Sequence, residues 1–393
     1  MKSKSNFFYI LSLSVIATFV ILSISTLNTR ISITYAINLT NQSITQNQQN
    51  LQPSINNQMQ KPSVDNSFNR ISNNNISNIS NSTNSQVQIN MSQYPFQQKT
   101  TKIIEGAPTQ KVKVGDIVIA YKQFGKGEIK PIVLITGLGG TMDIWSPYLI
   151  DQLSKLNNRT VIIFDNRGAG ESTAGTKDFT ISQFANDTIG FLDALNIKKA
   201  DIIGWSMGSF IAQEIASKNP QRVGSLVLYA SSCGGPNASP PSSEVIQVFS
   251  NKSLTPLQLG QKIIPLLFPS QWFKANPNYL NYFPIPKENV SSDALQKQNQ
   301  AIINWKGDCD ALLKITSPTL VIVGTDDVFT PPKNSLNIID KIPGAWLVQI
   351  RNAGHGLMYQ YPHLFDKAVM MFLNESNLNR SIVNGSNNST QFN

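Results

Sequence analysis

The sequence predicts an α/β fold: a mostly parallel, eight-stranded sheet with helices on both faces and a helical cap inserted late in the chain. Three observations predict it. Short continuous apolar runs recur from Ile132 onward and read as strands buried on both faces. Segments of helical period lie between them, an alternation that requires right-handed crossovers and parallel strands. One long segment, rich in Pro, Ser and aromatic residues, breaks the alternation without contributing a strand of its own.

The elements follow in order. Lys111 to Val114 and Ile117 to Phe124 alternate like an antiparallel pair joined across Gly115-Asp116. Ile132 to Ile135, Val161 to Phe164, Ile202-Ile203, Leu226 to Leu228 and Leu320 to Val323 are the buried strands, and Trp346 to Ile350 supplies the last. Helices are expected at Pro147 to Leu156, Ile181 to Leu195, Met207 to Lys218, Asp310 to Ile315, Ser335 to Lys341 and Pro362 to Leu373. Thr180 is placed to cap the second of these. Residues 234–305 carry aromatics such as Phe249, Phe268, Trp272, Tyr282 and Phe283. An unstructured loop of that length would not hold so many, so the segment is expected to fold as a cap over the strand ends.

Outside the core the composition changes. Residues 1–36 open with Lys2 and Lys4 and an apolar run from Phe7 to Leu27, the pattern of an export signal or a retained membrane anchor. Thr34-Tyr35-Ala36 offers the small residues a signal peptidase reads. Residues 37–100 are dominated by Asn, Gln and Ser and are expected to be a disordered linker, leaving 101–376 as the folding unit and 377–393 as a disordered tail. Either fate of the leader places the bulk of the chain in the extracellular space or on the cell surface. Recurrent Asn-x-Ser/Thr triplets, among them Asn158, Asn186 and Asn384, fit glycosylation, although an Asn- and Ser-rich chain produces such triplets readily.

The formal charge of +9 is spread without any basic run of five, so nucleic acid is not an expected partner. Two cysteines, Cys233 and Cys309, exclude the usual zinc and dithiol patterns. In an exported chain they either pair or remain two buried thiols, and spacing does not decide which.

The chemistry centres on Gly204-Trp205-Ser206-Met207-Gly208, where a strand gives way to a helix. A serine pushed into strained backbone at such a hinge, with room only for glycine two residues either side, is a candidate nucleophile. Its hydroxyl needs a base. Of the two histidines, His355 follows the last strand in Gly354-His355-Gly356, while His363 falls on the first turn of the final helix and reads as a surface residue. A base needs an orienting carboxylate, and Asp326 and Asp327 both follow the preceding strand. Charge developing on an attacked carbonyl oxygen needs backbone donors, which the bend Thr136-Gly137-Leu138-Gly139-Gly140-Thr141 can offer. The amides of Leu138 and Met207 are the candidates. The bend lacks the Gly-x-Gly-x-x-Gly pattern of a dinucleotide site, and none of this chemistry requires a cofactor or metal.

The order Ser206, aspartate, His355, each at a strand end, resembles the α/β-hydrolase family from about Lys111 to Leu373, in its esterase or lactonase-type members. The run Asp165-Asn166-Arg167-Gly168-Ala169-Gly170-Glu171-Ser172 and the stretch Gly324 to Pro331 carry the same resemblance. In the family the acid stands three residues after the glycine, which selects Asp327, and the Asp165 to Ser172 loop is structural. Relatives commonly begin the oxyanion bend with His-Gly, where this chain has Thr136-Gly137. The resemblance implies a serine hydrolase acting on a small-molecule ester, lactone or amide, and the N-terminal apolar segment adds the expectation that it is exported, either attached to a membrane by that segment alone or cleaved from it. Proline-iminopeptidase-like and cofactor-free haloperoxidase-like activities share this framework. Ser206 disfavours the relatives that use a carboxylate nucleophile. A surface binding protein that keeps the fold without catalysis is the reading from a different class, and it leaves unexplained why each catalytic position holds the required residue type.

Overall fold

Eight strands form one sheet in the order β1-β2-β4-β3-β5-β6-β7-β8. They are β1 Gln110–Val114, β2 Ile117–Phe124, β3 Ile132–Ile135, β4 Val161–Phe164, β5 Ala200–Trp205, β6 Val223–Tyr229, β7 Thr319–Gly324 and β8 Trp346–Ile350. The computed structural model describes residues 106–387 apart from 128, 237, 252, 255 and 285, so the expected leader and linker lie outside the described residues. β2 runs antiparallel to β1 and β4, and all other neighbours are parallel. The chain thus enters by a hairpin and winds outward in both directions from β3, which leaves the carboxyl ends of β3, β5, β6, β7 and β8 along one edge.

Side chains sort to the two faces by strand periodicity. Ile132 and Leu134 of β3 join one core with the helices α1 Pro147–Lys155, α9 Leu357–Gln360 and α10 Pro362–Asn387. Val133 and Ile135 join the other, beneath α2 Ile181–Ala194, α3 Met207–Lys218 and α8 Pro332–Ile339. Thr180 and Ser146 cap α2 and α1 by accepting from Gln183 N and Leu149 N. The predicted Asp310 to Ile315 helix is a short 3₁₀ turn, Asp310–Lys314. α10 runs past Asn377 as far as Asn387, so the first part of the expected disordered tail continues a helix whose apolar face is already anchored. Residues 388–393 lie outside the described set.

Between β6 and β7 stand α4 Ser243–Ser250, α5 Pro256–Leu266, α6 Ser270–Ala275 and α7 Ser292–Asn304, with a 3₁₀ turn at Tyr279–Tyr282. This is the cap. Its aromatics are its core: Phe268 stacks on Trp272 at 4.5 Å and meets Phe283 edge-on at 5.6 Å. Its two stems are tied together. Gly234 and Gly307 form a backbone bridge, and Cys233 and Cys309 are joined by a disulfide, which settles the open question of their pairing.

Candidate active site

Ser206 sits at the carboxyl end of β5 and immediately precedes α3, with φ of 54° and ψ of −120°. That is a strained region for any residue with a Cβ, and the neighbouring chain enforces it. A Cβ on Gly204 would lie 2.3 Å from Gly208 O, and one on Gly208 would lie 2.0 Å from Ile135 O. The turn is therefore too tight for anything larger at either place. Ser206 N donates to Tyr229 O at 3.0 Å, while Ser206 O accepts from Ser209 N and Ser209 Oγ. The backbone of the elbow is held from both sides, and its side chain is left at a partly exposed position.

Asp327 and His355 meet across the ends of β7 and β8. His355 Nδ1 is 2.9 Å from Asp327 Oδ2 and 3.1 Å from Oδ1, with both residues buried. Asp327 also accepts from Phe329 N, Thr330 N and Thr330 Oγ1, each at 2.9 Å. Those donors fix the carboxylate so that it can hold a proton on Nδ1 and leave Nε2 as the ring's basic nitrogen. The Phe329 ring stacks on the imidazole at 4.7 Å. Asp326, the alternative acid, is exposed and accepts from Thr325 Oγ1. His363 is exposed on the first turn of α10, 3.2 Å from Tyr148 Oη.

The bend after β3 lies against the elbow, since a Cβ on Gly137 would be 3.1 Å from Ser206 Cβ. Leu138 follows in that bend and Met207 opens α3, so both candidate amides border Ser206. Among the described residues neither amide donates to another group. The Asp165 to Ser172 loop braces this bend. Asn166 Nδ2 donates to Thr136 O and Thr136 Oγ1, and Asp165 accepts from Met142 N and Glu171 N. Burial pushes Asp165 up to about 7 against the pull of those two amides.

Sequence reasoning missed the residue that links the two halves. Tyr229, the last residue of β6, accepts from Ser206 N through its carbonyl, and its hydroxyl donates to His355 O at 2.5 Å. The same hydroxyl accepts from Met358 N at 3.2 Å. Burial raises the phenol well above its ordinary range, so it stays a donor. Its place at a strand's carboxyl end was the available signal. Thr330 was also missed, three residues past Asp327, where a hydroxyl commonly closes a local turn.

A strand-end elbow beside a glycine bend, with an imidazole–carboxylate pair on the neighbouring loops of this sheet, is the α/β-hydrolase arrangement. The chain belongs to the α/β-hydrolase family and is an enzyme of that family: a family model described as alpha/beta hydrolase fold matches residues 130–271, and one described as TAP-like protein matches 298–386. Among relatives, a protein named as a carbamate hydrolase, RutD of Caulobacter sp. strain K31, is 26% identical over 62% of this chain and 90% of its own length. The enol-lactonase from Burkholderia xenovorans LB400 is 25% identical with a TM-score of 0.58, covering 67% of this chain and 100% of that one. A thermophilic esterase from Thermogutta terrifontis is 25% identical with a TM-score of 0.56, covering 69% of this chain and 99% of that one.

Proposed function

We propose that this chain is an exported serine hydrolase that cleaves a carboxylic ester or lactone through an acyl-enzyme. The observation that carries the reading is the buried His355–Asp327 pair at the strand ends beside the strained Ser206 elbow. Ser206 Oγ attacks the carbonyl carbon as its proton passes to His355 Nε2, and Asp327 stabilises the imidazolium through Nδ1. The oxyanion accepts from Leu138 N and Met207 N. Collapse breaks the bond to the alcohol oxygen, which takes the proton from His355. Water then repeats the sequence on the acyl group, so the products are an acid and an alcohol, or one hydroxy acid from a lactone.

The names of two structural relatives, an enol-lactonase and an esterase, support the carboxylic substrate. A carbamate is the second reading, favoured by the relative named as a carbamate hydrolase. It uses the same residues with a carbamoyl intermediate. Export is supported by the basic and apolar N-terminus and by the Cys233–Cys309 disulfide, a bond that persists in oxidising compartments.

The test is a screen of p-nitrophenyl acyl esters, lactones and carbamates with wild type and Ser206→Ala. Turnover of esters or lactones that vanishes in the variant is the expected result. Preference for carbamates would favour the second reading. No turnover in any class, with no covalent labelling of Ser206 by a fluorophosphonate, would contradict both.

A further inference from the structure

The cap reaches the oxyanion bend through one side chain. Gly139 N, the amide next to Leu138, donates to Gln298 Oε1 at 2.9 Å, and Gln298 belongs to the cap helix α7. The acceptor end is fixed by that backbone donor, so the side-chain NH2 must be Gln298 Nε2. Gln298 is completely buried, and Nε2 has no hydrogen-bond partner among the described residues. A buried amide that makes one of its four possible hydrogen bonds leaves an NH2 group desolvated, a cost that an apolar side chain of the same length would not carry. Its presence needs a reason other than packing.

The surroundings show what the single bond does. Gly139 lies in the left-handed region at φ of 70°, where a Cβ would come within 2.9 Å of Leu295 Cδ1, one turn before Gln298 on α7. Ala294 Cβ lies 3.2 Å from the Cβ position of Gly168, in the loop that braces the bend. The strap leading into α7 is fastened as well: Gly170 N donates to Asn289 O and Lys287 N to Asp143 Oδ2. At the other end of α7, Trp305 stacks on Phe210 of α3 at 4.7 Å and donates to Glu214 Oε1. Helix α7 is thus pinned at both ends over the elbow and the bend, and Gln298 is its one side-chain hydrogen bond to the bend among the described residues.

We propose that Gln298 is a positioning residue for the oxyanion donors, so that docking of the cap aims the Leu138 amide at the site. This rests on the reading of Leu138 and Met207 as those donors. Without an acceptor for Gly139 N the bend loses the contact that sets its peptide planes, and Leu138 N–H swings away from the reacting oxygen. The defect falls on the transition state, where the charge develops, and leaves ground-state binding largely intact.

The variants are Gln298→Met, which keeps length and removes the acceptor, and Gln298→Glu, which keeps an acceptor oxygen. Two readouts separate this inference from the hydrolase reading. The first is steady-state kinetics on a p-nitrophenyl ester, where Gln298→Met should lower kcat about 10-fold, part of the loss that follows removal of a whole oxyanion donor. KM and Tm should stay near wild type, and Gln298→Glu should recover the larger part of kcat. Parallel loss of kcat and Tm in both variants, or wild-type kcat in Gln298→Met, would overturn the proposal. The second readout needs no turnover: hydrogen exchange of the peptide spanning residues 136–142 should accelerate in Gln298→Met and not in Gln298→Glu. Unchanged exchange in Gln298→Met would overturn the proposal even if wild type hydrolyses esters. A wild type that hydrolyses nothing while the exchange behaves as expected would remove the hydrolase reading alone, leaving Gln298 as the residue that orders the bend.

Discussion

The two halves of the site are built differently. The Asp327 carboxylate takes three hydrogen bonds from Phe329 and Thr330 in addition to His355, all from the loops that end β7 and β8. The oxyanion bend is held by the Asp165 to Ser172 loop on one side and, on the other, by a single bond from Gln298 in a different part of the chain. The first half is redundant and local. The second depends on an insertion, and the cap's backbone bonds to the acid and base loops, Ser242 N to Val328 O and Gly356 N to Leu267 O, lie outside the hydrogen bonds of the carboxylate and the imidazole. On the proposed function, catalytic geometry is inherited from the strand ends of the fold while transition-state stabilisation is tuned from the cap.

The comparison is broken first at its robust half. Asp327→Asn should lower kcat by on the order of 10⁴ while the variant folds, since the ring loses its orienting charge. A loss of only a few-fold in steady-state assays would move the orienting role elsewhere. Tyr229→Phe tests the link between the halves. It leaves His355 O without a donor and Met358 N without an acceptor, at a cost of about 1–3 kcal/mol in urea unfolding. A smaller loss of kcat should accompany it as the base loop shifts, and wild-type kcat would show that the loop is held without the phenol.

At the dependent half, Cys309→Ser opens the closure at the end of α7. With the cysteines 76 positions apart, the lost chain constraint is worth about 4 kcal/mol. The kcat loss should be smaller than that of Gln298→Met, because the Trp305 contacts still hold the helix. Dithiothreitol should reproduce it in wild type and leave Cys309→Ser unchanged.

The smallest effect on activity is expected on α10, outside both halves. Asp366 of α10 is buried with Oδ2 unpartnered among the described residues, and burial raises its carboxyl well above the usual range. The folded state therefore keeps a proton that the unfolded chain releases. The stability this contributes is present below the ordinary carboxylate range and is lost as pH rises from there. Asp366→Asn should be more stable than wild type at pH 8 by about 1–3 kcal/mol, with the advantage shrinking toward pH 4 and kcat unchanged. Equal stability of the two proteins at every pH would contradict the buried, protonated carboxyl.

What was legible in the sequence follows the same division. Ile117 to Phe124, Val161 to Phe164 and Trp346 to Ile350 match their strands residue for residue, and Met207 to Lys218 matches its helix, because periodicity and turn residues report local structure directly. Ser206, Asp327 and His355 were legible because strand ends bring them to one edge. Gln298 was not, since 159 positions separate it from Gly139 and nothing in the Gln-rich run of α7 distinguishes it from its exposed neighbours. Tyr229 read as the end of a buried strand, and its hydroxyl acquires a role only once β8 lies two strands away. Pairing of Cys233 with Cys309 depended on the cap stems returning to the same place, which spacing does not encode.

The central claim is that Ser206 is a nucleophile activated by His355. Incubation of wild type with a fluorophosphonate probe, followed by peptide mapping, tests it without knowledge of the substrate. A single adduct on Ser206 is predicted, with the rate of its formation collapsing in His355→Ala. Labelling elsewhere, or labelling of Ser206 at an equal rate in His355→Ala, would contradict it.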